Sequence, residues 1–323
     1  MIHPISEITR KNIMKNLKFS LFLVLLAPSL DAAVITSASS GAWDAGAVWS
    51  DGNPAASGND YVIGSGHRIE SPSAATAAFP GDSLTVGSGG IFELYREIGG
   101  NTGQSLTASV PGLTINGGIL RSRIGFATGN VTLTSAVDFD GGGTIEVSTT
   151  YGTYSHTFTL NGAITGDGAV NVFRTSQGSG RTIVFNGDVT GFSGDWSFSS
   201  TNNEILNVTF GSGTGGWGSG DLTIGNYASL SLNAGTIDLP GILSVSSTGG
   251  FLNVSGTNTV TVGGFKIDGV GVAEGTWGAV GSGAEHETDR ITGTGMLNVV
   301  PEPAAAFLGA LGTCLLLFRR RDL

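Results

Sequence analysis

The side chains able to do chemistry are few and scattered. The body of the 323-residue chain holds three histidines, His67, His156 and His286, which share no metal-ligand spacing. Its densest ionisable run is Glu285-His286-Glu287-Thr288-Asp289, which binds a cation only if a turn makes these groups converge. Asp138-Phe139-Asp140 offers oxygen ligands for Ca²⁺, and strand alternation puts both carboxylates on one face. The EF-hand spacing and the Gly-rich nonapeptide of Ca²⁺-binding β-rolls are both missing. A glycosidase needs two carboxylates about 5–10 Å apart across a cleft. Glu146, Asp167, Asp188 and Asp195 are candidates, because residues one turn apart in a coiled fold meet that distance, yet nothing marks one pair. Trp43 and Trp49 suit either hydrophobic packing or stacking on a sugar, and packing is the commoner use. Gly87-Ser88-Gly89-Gly90 lacks the strand–helix context of a phosphate loop. The single Cys314 excludes a disulfide framework and any Cys-based zinc site. This inventory assigns no catalytic, cofactor-binding or metal-binding residue, and the chain is expected not to be an enzyme.

The elements that must position these residues are strands. Charged residues make up 12% of the chain, half the usual ~25%. Its 54 glycines weaken any helical reading. Short runs alternate apolar with small polar residues: Leu84-Thr85-Val86, Leu113-Thr114-Ile115, Val131-Thr132-Leu133, Phe158-Thr159-Leu160, Ile183-Val184-Phe185, Leu222-Thr223-Ile224 and Val260-Thr261-Val262. Such alternation marks half-buried strands, and the Gly-rich pairs between them mark tight turns. Further strands are expected near 205–210 and 242–245. Irregular steps of roughly 20–30 residues fit a β-solenoid, in which each coil buries its apolar face on the next. The pairs Thr132/Thr134, Thr157/Thr159 and Thr259/Thr261 suggest a flat, ice-binding Thr ladder. They recur at no constant coil length, so Thr reads simply as a good β-former. The triplets beginning at Asn130, Asn207 and Asn253 read as by-products of Ser/Thr-rich composition.

The two ends read as addresses. Lys11, Lys15 and Lys18 precede an apolar run over 19–27, then Pro28 and the small residues Ala32 and Ala33. That order makes a secretory signal peptide cleaved after Ala32 or Ala33 by signal peptidase, following passage through the secretion machinery. At the other end, 304–318 is apolar or small, and Arg319, Arg320 and Arg321 follow at once. A helix there spans only about 22 Å, short for a ~30 Å hydrocarbon core. The arginines hold that end in the cytoplasm. Between the ends, 34–300 carries 8 Lys and Arg against 21 Asp and Glu, a formal charge of −13. That balance excludes nucleic acid as a partner, because phosphates must be neutralised by basic groups.

Pro301-Glu302-Pro303, the apolar stretch and the terminal arginines together resemble the PEP-CTERM sorting signal of Gram-negative bacteria. The resemblance covers about 23 residues. It implies processing by exosortase at or near the Pro-Glu-Pro motif, and a setting of exopolysaccharide production. Residues 158–198 resemble the autotransporter-associated β-strand repeat, through Leu160-Asn161-Gly162, Gly166-Asp167-Gly168, the Gly-rich turn at 178–180 and Asn186-Gly187 before Phe192-Ser193-Gly194. That resemblance implies a right-handed parallel β-helix. The segment from Gly275-Thr276-Trp277 to Asn298-Val299 resembles the closing segment before many PEP-CTERM tails, and is expected to form the last hairpin or rung.

The expectation is therefore all-β: a signal helix over 1–33, a cap and first coils over 34–110, a solenoid over 111–299, and a sorting signal with one short transmembrane helix over 300–323. The expected function is a structural or adhesive protein of the cell surface or extracellular matrix, held in the inner membrane until sorted, with exopolysaccharide as partner and no cofactor. The competing reading is a carbohydrate-binding module or polysaccharide-active enzyme on the same fold.

Overall fold

A computed structural model describes residues 32–97, 104–125, 128–149, 154–175, 180–201, 203–211, 218–233, 237–256 and 258–300. The signal segment before Ala32 and the sorting residues Pro301, Glu302, Pro303, Arg319, Arg320 and Arg321 lie outside the described residues. No helix among the described residues is long and apolar enough to cross a membrane.

The described chain is all-β, a solenoid of about eight turns, with one three-residue 3₁₀ turn at Gly46–Val48. Each turn lays strands on two or three long sheets. The first sheet has six strands, from Ala33–Thr36 to Ile164–Thr165. The second has 14 and includes Ile91–Arg96, Ile119–Ile124, Gly143–Thr149 and Val170–Arg174. The third has nine, from Thr76–Ala78 to Ile291–Gly293. Nearly all neighbours are parallel and one turn apart in sequence. Antiparallel pairs occur where Gly275–Ala279 meets Met296–Val299 and where Val270–Gly271 meets Thr259–Ile267. The sheets run past residue 110 without a break.

Alternation is what winds the chain. In the second sheet Phe92, Leu120, Ile145, Val172, Phe198, Ile224 and Val245 stand in one register column and are all buried. Parallel strands sit ~4.8 Å apart, so each side chain packs on those above and below. Each one buried contributes about 1.5–3 kcal/mol. A single turn could not bury both faces of this column, which is why several must stack.

The corners hold the register. Gly168, Gly194, Gly220 and Gly241 stack on successive turns, and a Cβ on any of them would run into the backbone of the turn before. Much of the glycine content is explained by this lack of space. At the N-terminal end Trp43 and Trp49 are both buried. Trp49 Nε1 donates to the Trp43 carbonyl at 2.9 Å, and the rings pack on Tyr61, Phe79 and Phe92 at 4.6–5.9 Å. The tryptophans close the hydrophobic core and present no ring to a sugar.

Candidate functional site

The carboxylates singled out in the sequence do not form one cleft. Glu146 stands on the outer face of the second sheet, covered by its partners. Arg121 Nη2 lies 2.7 Å from Glu146 Oε2, and the Thr175 hydroxyl donates to Oε1 at 2.6 Å. Asp188 is exposed at a corner and accepts the Thr190 N–H at 2.9 Å, which lowers its pKa. Asp195 accepts the Asp221 N–H at 2.9 Å, and Asp221 accepts the Ile242 N–H at 2.8 Å. These aspartates fasten one turn to the next. Asp167 is exposed on the corner before Val170–Arg174.

The ionisable run 285–289 is likewise occupied with its own backbone. Glu287 accepts the N–H groups of Gly281 and Gly283 at 2.9 and 3.1 Å, and these bonds lower its pKa. Glu285 accepts the Thr276 N–H at 3.3 Å, and Asp289 pairs with Arg290 at 2.9 Å. The His286 ring stacks on Trp277 at 4.7 Å. Asp138 accepts the Thr165 hydroxyl at 2.9 Å, with Phe139 buried between it and exposed Asp140. Among the described residues no three His, Cys, Asp or Glu side chains converge on a metal position.

Charge gathers instead on the outer face of the second sheet. Glu93 is fully buried beneath Arg121 and Arg123, at 3.3 and 2.6 Å. Arg121 also reaches Glu146, and Arg68 pairs with Glu70 at 2.5 Å. Burial alone would lower the Arg121 pKa, but Glu146 and Glu93 together raise it. Arg123 lies 4.4 Å over the Tyr95 ring. Each carboxylate here already has a cation, so this patch fastens turns together.

The interior holds a second polar group that the sequence did not reveal. His156 is fully buried between the second and third sheets. Its Nε2 lies 2.8 Å from Ser122 Oγ and its Nδ1 3.3 Å from the Gly129 carbonyl. Burial first, and the neighbouring Arg181 cation as well, push its pKa down to about 4, so it is neutral. Arg181 occupies the same register position one turn on. It donates to the Tyr154 carbonyl and to Thr149 Oγ1. Arg174 is buried with it and pairs with Glu204.

The outer face of the third sheet is a continuous polar surface. Ser105, Asn130, Thr157, Thr182, Asn207 and Ser229 stand in one register column. Two residues along each strand, Thr76, Thr107, Thr132, Thr159, Val184, Thr209, Ser231, Asn253 and Thr292 make a second. Rungs are ~4.8 Å apart and the columns ~6.6 Å apart. The nine strands extend the face for about 38 Å. No Lys, Arg, Asp or Glu stands among these residues; beyond Ser229 the first column ends at Phe251, with Arg290, paired to Asp289, over its ring. The side chains between them, from Leu106 and Val131 through Phe158, Ile183, Val208 and Leu230, all point inward and are buried. The hydroxyls of Thr157, Thr159, Thr182 and Thr209 are half-buried and make no side-chain hydrogen bond among the described residues. At the start of the face, small Ala77 and Ala78 leave a shallow recess of about 280 Å³ beside Thr76, Thr107, Ser109 and Thr134.

This face corrects the reading of the Thr pairs as mere β-formers without a ladder. Coil lengths vary from 21 to 31 residues before the last turn, yet the strands remain in register because the corners absorb the difference. Thr132 and Thr159 thus share a column, although Thr259 and Thr261 belong to the second sheet. The triplets at Asn130 and Asn207 are two-residue steps across this same face. The signal in the sequence is polar–apolar–polar: Ser105-Leu106-Thr107, Asn130-Val131-Thr132, Thr157-Phe158-Thr159, Asn207-Val208-Thr209 and Ser229-Leu230-Ser231.

Comparison of the chain with protein-family models, with curated proteins and with solved structures finds no match.

Proposed function

We propose that this chain is an exported structural or adhesive protein of the bacterial surface or extracellular matrix. In this reading its two ends deliver it and its solenoid body makes contacts without catalysis. The uncharged hydroxyl and amide face of the third sheet carries the reading, since it is a rigid, repetitive surface suited to many weak contacts. The strand Ala33–Thr36 begins where signal cleavage is expected, which supports export. Right-handed winding is part of the proposal, supported by the strong preference of parallel crossovers for that hand and by the repeat-like segment 158–198. The tail, with Pro301-Glu302-Pro303 and its arginines, is proposed as the exosortase substrate that holds the protein in the inner membrane until release.

Mass spectrometry of the protein's termini in each cell fraction tests this. A start at Ala33 or Val34, with the tail lost near Pro301–Pro303 in a surface or medium fraction, is the expected result. A full-length chain beginning at Met1 in the cytoplasm would overturn it.

A further inference from the structure

We infer that the outer face of the third sheet binds a neutral, hydroxyl-rich polysaccharide laid along the solenoid axis; this rests on the adhesive reading and names its ligand class. The argument starts from charge. The body has a formal charge of −13, so an acidic polymer is repelled at long range and needs a basic patch to hold it. Arg68, Arg121 and Arg123 on the outer face of the second sheet are already paired to Glu70, Glu93 and Glu146. From Ser105 to Ser229 and from Thr76 to Thr292 the two columns of the third sheet carry no ion, and Arg290 at the Phe251 end is paired to Asp289. A neutral ligand pays no desolvation of charge there, and each contact exchanges one water hydrogen bond for another.

Periodicity narrows the ligand further. A rung recurs every ~4.8 Å along the axis, and an extended β-1,4-linked hexose chain advances by nearly the same step per sugar. A polymer lying along the axis therefore meets Thr, Ser or Asn groups at each residue. Thr157, Thr182, Thr159 and Thr209 have hydroxyls with no side-chain partner among the described residues. Their backing is a packed core, and β-branched Thr has few rotamers to lose, so ordering costs little. Each contact is weak, and affinity comes from their number along one chain. The columns contain no aromatic ring except Phe251 at the far end of the first. Recognition is thus by the hydroxyl edges of the sugars and not by stacking on ring faces. The recess beside Thr76 and Thr107 gives the polymer a place to enter or end.

The test uses the full chain purified in detergent and sedimented with amorphous cellulose, curdlan or alginate beads. The expected result is sedimentation with amorphous cellulose, unchanged in 1 M salt, and weaker sedimentation with curdlan, whose β-1,3 linkages coil the chain out of step with the rungs. Thr157→Lys/Thr209→Lys is expected to weaken it at least tenfold. Thr223→Lys, on the outer face of the second sheet, leaves it unchanged. If the lysine pair fails to fold, Thr132→Val/Thr159→Val keeps the strand shape, removes two hydroxyls and is expected to weaken sedimentation severalfold. Binding to curdlan alone or to alginate alone, loss of binding in salt, or full binding by the third-sheet variants would each overturn the inference. So would partition of the protein into growing ice with no affinity for either glucan, which would give the face to a water lattice. A protein found at the cell surface that binds neither glucan overturns the ligand and leaves the adhesive reading standing; a protein never exported overturns the adhesive reading whatever the sedimentation shows.

Discussion

Acidification should weaken this solenoid through one buried histidine. In the unfolded chain His156 takes up a proton near pH 6.5, whereas in the folded chain it resists protonation down to about pH 4. Between these values the unfolded state binds the extra proton, so stability falls as pH falls. The loss begins near 6.5 and is complete near 4. The difference between the two pKa values corresponds to about 3 kcal/mol, a large share of the ~5–15 kcal/mol that holds a typical domain. The physical cause is burial first and Arg181 second, with the Gly129 carbonyl acting in the opposite direction. Urea unfolding at pH 7.5, 6.5, 5.5 and 4.5, in wild type and in His156→Gln, isolates this contribution. Gln can still bond Ser122 but takes no proton. The wild-type midpoint should drop steadily across this range while the variant stays nearly flat. Asp188, Asp268 and Glu287 have lowered pKa values from their hydrogen bonds to Thr190, to Ser247 and to the Gly281 and Gly283 backbone. Their contribution is present above the ordinary carboxylate range and lost below it, equally in both proteins. Parallel curves for the two proteins between pH 7.5 and 4.5 would refute the reasoning.

Four further outcomes are expected. Gly194→Ala forces a methyl against the Gly168 carbonyl and should cost about 1–3 kcal/mol, read as a lowered thermal midpoint. Trp49→Ala empties the N-terminal core and should cost about 3–5 kcal/mol; amide exchange should quicken first in 33–63. Glu93→Ala leaves Arg123 without its carboxylate and should cost about 3 kcal/mol, while Glu70→Ala, at a pair with more solvent, should cost under ~1 kcal/mol. Thr182→Lys on the third sheet should alter stability by less than ~0.5 kcal/mol, measured by urea unfolding.

Strand positions were legible because alternation is a local property. Every alternating run named from the sequence falls within a strand, as do the expected strands near 205–210 and 242–245. What alternation could not show is which sheet each run joins. Leu84 and Leu113 belong to the first sheet, Val131, Phe158 and Ile183 to the third, and Leu222 and Val260 to the second. Steps counted between them mix one turn with part of a turn, so the period looked irregular and the Thr columns stayed hidden. Burial at Glu93 and His156 was hidden for another reason. Glu93 stands at an outward position and is covered by arginines from the next strand. His156 stands at an inward position where neighbouring turns place Gly129 and Arg181, and no local pattern announces a polar interior. The tryptophan cap was legible, since two large rings near the start of a solenoid have an open core end to close.

The corners that absorb unequal coil lengths also make this architecture forgiving to genetic change. A step from Leu222 to Leu243 and one from Thr76 to Thr107 differ by ten residues, yet both keep their columns aligned. The last turn goes further, since 37 residues separate Thr259 from its partner Met296 and a small antiparallel excursion fits between them. Insertions and deletions therefore fall on corners without disturbing either face. Duplicating one coil would add a rung to every column at once. The face can then lengthen by gene duplication in whole steps, with the tryptophan cap and the last turn unchanged, and a family of such chains would differ in reach more readily than in the chemistry they present.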